Sequence, residues 1–144
     1  MDVNQIIAQF AAKFQDMVQS VSSQQAWQVA SLSDGAAELH IETYPGNIRV
    51  CHIVNRLGTV SFFAPTNLSF DSLNEVPHQM STLLLSRNDS RAIGFWCLEE
   101  LAEKHTFTCM HMAKIQYMDA DDLSKIVVNI VSECDSFEQS ILNA

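Results

Sequence analysis

The spacing of apolar residues along this chain changes from a helical period to an alternating one and back, and each change predicts an element. From Val3 to Val21 the apolar positions are Ile6, Ile7, Phe10, Ala11, Phe14, Met17, Val18 and Val21. They recur three or four apart, as in a helix with one buried stripe. Gln5, Gln9, Lys13 and Gln19 lie off that stripe, and Ser20 to Gln25 reads as the exit. From Trp27 the period shortens toward two. Trp27 to Ser31 is a short strand, and Ser33-Asp34-Gly35 a turn. Ala37, Leu39 and Ile41 alternate with Glu38, His40 and Glu42, a strand with one wet face. Pro45-Gly46-Asn47 turns the chain. Ile48 to Val54 is a further strand, apolar on both faces. Asn55 to Gly58 returns it, and Thr59 to Ala64 is the next strand. Short connections of this kind favour antiparallel neighbours.

Pro65-Thr66-Asn67 predicts a break in the sheet, with loop as far as Asn74. Pro77 suits the first turn of a helix, where its missing N–H costs nothing. Met80, Leu83 and Leu84 form that helix's stripe, and Ser86 to Ser90 ends it. Ala92 to Glu99 is the most apolar strand, and Lys104 to Ile115 its hairpin partner across an acidic loop. The last helix starts at Asp119, a plausible N-cap, with Asp121 and Asp122 where the helix dipole favours negative charge. Leu123, Ile126, Val127, Ile130, Val131, Cys134, Phe137, Ile141 and Leu142 carry its stripe. Val127, Val128 and Val131 are poor helix formers, so packing must hold this helix. The pattern predicts one α+β domain. Its antiparallel sheet has about five to six strands, with three helices in the order α-βββ(β)-α-ββ-α, concentrated on one face.

Composition narrows the function classes. A chain of 144 residues buries roughly two thirds of its unfolded surface, and needs no disulfide or metal to fold. The net charge is −9 with only 8 Lys and Arg, which argues against nucleic acid and anionic lipid and favours a basic partner segment. Hydrophobic content of 47% against 17% charged predicts a sizeable uncharged surface patch. Cys51, Cys97, Cys109 and Cys134 contain no C-x-x-C pair and read as free core thiols. The start, Met1-Asp2-Val3-Asn4-Gln5, lacks the basic region of a signal peptide. No apolar run reaches membrane-span length. The expectation is a cytoplasmic protein without cofactors.

The element order resembles the fold of type III secretion chaperones and of the YbjN-like proteins that share it. That resemblance covers nearly the whole chain and implies a non-catalytic dimer or adaptor. Such a protein holds a partner's extended segment against its sheet and helices. The phrases Gly94-Phe95-Trp96-Cys97-Leu98-Glu99-Glu100, Met110-His111-Met112-Ala113 and Glu133-Cys134-Asp135-Ser136-Phe137-Glu138 are similar to those of a small cyanobacterial family, the CcmS family of carboxysome assembly factors. That likeness implies binding to the tail of a shell protein and transfers no catalytic residue.

Candidate chemistry competes with simpler readings. Cys109 and His111 are two apart on a strand and share a face, as a thiol–imidazole pair or half a metal site would. A zinc site wants four ligands, and only His105 and Cys97 could add to them. Core or interface packing is the simpler reading, and an enzyme using Cys109 and His111 the alternative. Asp119, Asp121 and Asp122 lack the glycine and spacing of a calcium loop, and helix capping accounts for them. No phosphate cradle, nucleophile elbow or H-E-x-x-H pair is present. Arg87 and Arg91 could clamp a carboxylate or a partner's C-terminus, or could pair with the acidic last helix. Trp27 and Trp96 are interface or core residues. Phe62 and Phe63, like Phe95 and Trp96, must point to opposite faces of the sheet. If helices cover one face only, the second aromatic of each pair faces a partner or a second copy. The predicted partner-binding residues are therefore Trp27, Phe63, Arg87, Arg91 and Trp96.

Overall fold

In the computed structural model, which describes residues 2–142, the first helix, α1, spans Val3–Gln25. Met1 lies outside the described residues. Asp2 caps α1 reciprocally: its carboxylate accepts from the Gln5 N–H at 2.8 Å, and its own N–H donates to the Gln5 side chain at 3.0 Å. The helix runs past the predicted exit at Ser20, because Val21 and Ser22 are still buried. It stops where Ala26 turns left-handed at φ 58°.

Six strands follow: β1 (Gln28–Leu32), β2 (Ala36–Tyr44), β3 (Asn47–Arg56), β4 (Thr59–Phe70), then β5 (Phe95–Leu101) and β6 (Lys104–Lys114). They form one sheet in the order β1-β2-β3-β4-β6-β5, every pair antiparallel. The helix α2 (His78–Arg87) lies between β4 and β5 in sequence, and α3 (Ala120–Leu142) closes the chain. The α+β architecture is the one the periodicity predicts.

The predicted break at Pro65 is not there. β4 continues through it to Phe70, with Pro65 opposite Thr108 and a register shift before Ser69. Distant side chains satisfy the backbone groups at this irregularity. The Arg49 guanidinium donates to the Pro65 carbonyl at 3.1 Å, and the Asn67 N–H donates to Glu138 at 2.7 Å. β5 starts later than predicted, at Phe95, because Asn88 brackets the Trp96 backbone, accepting from its N–H and donating to its carbonyl. The acidic loop is a tight turn in which Ala102 and Glu103 both have positive φ. Pro77 sits one residue before α2, as its N-cap.

The helices pack on one face of the sheet. Leu39, Cys51, Ile53, Phe62, Ala64, Trp96 and Cys109 point into that face and are buried. α3 covers them with Leu123, Val127, Ile130, Val131, Cys134 and Phe137, all buried. Each large apolar side chain contributes roughly 1.5–3 kcal/mol, which outweighs the low helix propensity of the valines. Asp119 caps α3 as predicted, accepting from the Asp122 N–H at 2.8 Å while its own N–H donates back at 3.0 Å. The side chain of Leu142 lies outside the described residues.

Candidate partner-binding site

Alternation along the strands settles which aromatics face away from the helices. Phe62 and Trp96 are buried, and their neighbours Phe63 and Phe95 are half-buried on the opposite face. Cross-strand register aligns them. Glu38 pairs with His52, His52 with Phe63, Phe63 with Met110, and Met110 with Phe95. One row of side chains therefore crosses five strands and becomes apolar toward β5. Cys97 joins it, with its sulfur 2.9 Å from that of Met110. Met112, 56% exposed, extends it along β6. Among the described residues this face carries no helix. Side chains that can stack and flex line its β4-β6-β5 end.

A second constellation lies on the helix side, around Glu133 of α3. Its carboxylate is 6% exposed and accepts from the Trp96 indole N–H at 2.8 Å and from Arg87 Nε at 3.0 Å. A second Arg87 N–H, on Nη2, donates to the other oxygen, making the pair bidentate. Arg91 Nη1 lies 3.3 Å from Oε2. Burial alone would push the Glu133 carboxyl up. The bonds from Arg87 and Trp96 and the two arginine charges more than offset that and hold it below the usual range. A cavity of about 430 Å³ opens beside this cluster, bounded by Arg87, Ser90, Arg91, Ile93, Asn129 and Glu133.

Three of the sequence-predicted residues, Arg87, Arg91 and Trp96, thus meet at Glu133, with Trp96 buried against Phe137 at a ring separation of 5.4 Å. Phe63 stands on the opposite face of the sheet. Trp27 lies half-buried just beyond α1 and joins neither group. Sequence reasoning missed Glu133 and Arg49. Glu133 occupies a stripe position of α3, three after Ile130 and four before Phe137, and Arg49 shares a strand face with Cys51 and Ile53. A lone charge inside an apolar stripe signals a buried ion pair.

The thiols are electronically quiet. Burial pushes Cys109 and Cys51 up to about 12 and Cys97 up to about 11, and raises Cys134 well above its ordinary value. Neutral thiols are poor nucleophiles and poor metal ligands. His111 accepts at Nδ1 from the Gly94 N–H at 3.1 Å, and burial lowers its pKa. Among the described residues, no three His, Cys, Asp or Glu side chains gather as a metal site would require. None of the described helices is long and apolar enough to cross a membrane.

No protein-family model matches the chain, and no curated protein matches it. Among solved structures it is similar to a chain of the HopA1–SchA chaperone–effector complex, with a TM-score of 0.64 over 90% of this chain and 95% of that one. The two share 8% sequence identity, so the likeness is one of fold. The element order implied the fold of type III secretion chaperones, and this likeness of fold agrees with that expectation.

Proposed function

We propose that this chain is a non-catalytic adaptor or assembly chaperone that holds an extended terminal segment of a partner protein. The observation that carries this reading is the uncovered sheet face, where Phe63, Met110 and Phe95 line up across β4, β6 and β5. A monomer gains nothing by keeping such a row half in water, whereas a partner strand or a second copy would bury it. The chaperone-like fold and the protonated thiols support the same reading over an enzyme using Cys109 and His111. The finer proposal is carboxysome assembly through a shell protein's tail. It rests on the resemblance of the Gly94–Glu100, Met110–Ala113 and Glu133–Glu138 phrases.

The test is affinity capture from a cyanobacterial lysate with the wild-type chain and with Phe63→Glu. The expected result is a shell or assembly protein held by the wild type and lost from the variant. Equal capture by both would remove the sheet face from the argument. No specific partner, together with a thiol- or metal-dependent activity, would favour the enzyme.

A further inference from the structure

The cluster at Glu133 is charge-unbalanced. Glu133 satisfies both oxygens with Arg87, Trp96 and Arg91. One carboxylate thus faces two guanidiniums, a local positive excess in a chain of net charge −9. Arg91 is the under-used partner. It touches Glu133 only through Nη1, and its Nε is buried without a hydrogen-bond partner. That buried donor is closed to a ligand from solvent, so an anion would meet the remainder of the guanidinium, on a side chain that is 18% exposed. The place for such an anion exists, because Arg91 lines the cavity of about 430 Å³ together with the polar side chains of Ser90 and Asn129.

The cavity does not end there. Ala92 and Ile93 line it and also line a neighbouring hollow of about 360 Å³, whose far side includes His111, Tyr117 and Ile126. The two hollows adjoin at Ala92 and Ile93 as a groove with a cationic end at Arg91, and its far side also carries the charged Lys114, Asp122 and Lys125. Tyr117, 79% exposed, stands at the other end. A single small anion would fill only the Arg91 end. An extended chain ending in a carboxylate would fill both.

We infer that Arg91, preset by Arg87 and Glu133, is a carboxylate-binding site, and that the groove beyond it takes the apolar residues next to that carboxylate. The ligand is the C-terminal carboxylate of an extended peptide. This rests on the reading of the chain as a holder of a terminal segment, and says which end of that segment is recognised. A neutral or basic tail with a free terminus would suit both the acidic surface and this local cation.

The Trp96 indole N–H donates to Glu133 and therefore reports on the site, and the Trp27 indole, outside the cluster, is the internal control. The experiment follows both indole resonances and the methionine methyl resonances in full-length protein labelled with ¹⁵N and with ¹³C at the methionine methyls, during titration with the peptide acetyl-KAVL. The same peptide as its C-terminal amide, and acetyl-KAEL amide, serve as comparisons. Saturable movement of Trp96 but not Trp27 is expected with acetyl-KAVL. Binding should be about tenfold weaker with the amide and with Arg91→Gln, and partly restored by Arg91→Lys. Movement with acetyl-KAEL amide alone would assign the site to an acidic side chain rather than a terminus, and so refute the inference. Equal movement with free acid and amide, or no loss in Arg91→Gln, would overturn the inference. Shifts confined to the Met110 methyl would also overturn it while leaving the adaptor reading intact.

Discussion

Arg49 and Glu138, 89 residues apart, meet at 2.6 Å between β3 and α3, and the guanidinium also holds Asp135 at 2.8 Å. This triad lies at the end of the sheet where β4 passes Pro65. It joins the irregular strand to the helix that covers it. Removing the arginine would strand two acids and a carbonyl in a site that water barely reaches. Arg49→Ala is expected to cost about 3 kcal/mol, read as a lower urea midpoint with an unchanged slope.

Glu133 predicts a pH dependence. Its folded pKa lies below its ordinary value of 4.5, so its stabilising effect is fully present above that pH. The effect is lost as pH falls through the folded value, where the carboxyl protonates. Glu133→Gln should lower stability by about 2 kcal/mol at neutral pH. Denaturation curves across pH 3 to 7, roughly the carboxylate titration range, should show the gap between the two proteins narrowing toward the acid end. A gap independent of pH would mean that the glutamate acts by shape alone.

Two glycines with similar backbones should respond differently to alanine. Gly94 has φ +83°, and a Cβ there would lie 2.9 Å from Ile130 and 3.2 Å from the Cys109 sulfur. Gly46 has φ +84° and open space around it. Gly46→Ala should cost about 1 kcal/mol, the left-handed penalty. Gly94→Ala adds a clash in the core and should cost about 3 kcal/mol. Thermal melts of the two variants, measured together, separate backbone strain from packing.

Thiol reactivity separates the adaptor from the enzyme. Cys51, Cys109 and Cys134 are buried, and Cys97 is half-buried with its pKa pushed up to about 11. A thiol-reactive dye at neutral pH should modify the native protein slowly, at Cys97 first, and all 4 cysteines only in denaturant. Rapid native labelling at Cys109 would argue for the thiol-dependent alternative.

What could be read without a structure was periodic and local. A helix or strand repeats its contacts within a few residues, so the apolar stripes of α1 and α3 and the alternation of β2 announced themselves. So did the Asp119 cap, whose partner is three residues away. The Phe62-Phe63 and Phe95-Trp96 pairs also told, by strict alternation, that one member of each leaves the core.

Tertiary structure decided what depends on partners far along the chain. Pro65 reads locally as a stop, because proline cannot donate to a ladder. Arg49 and Glu138 satisfy the backbone around it from 16 and 71 residues away and keep β4 whole. Glu133 reads only as a charge at a stripe position of α3, with no partner named. It becomes the hub of Arg87, Arg91 and Trp96 only because α3 is laid across the sheet beside α2. A buried charge must find its counter-charge in space, and spacing along the sequence carries no record of which one that is.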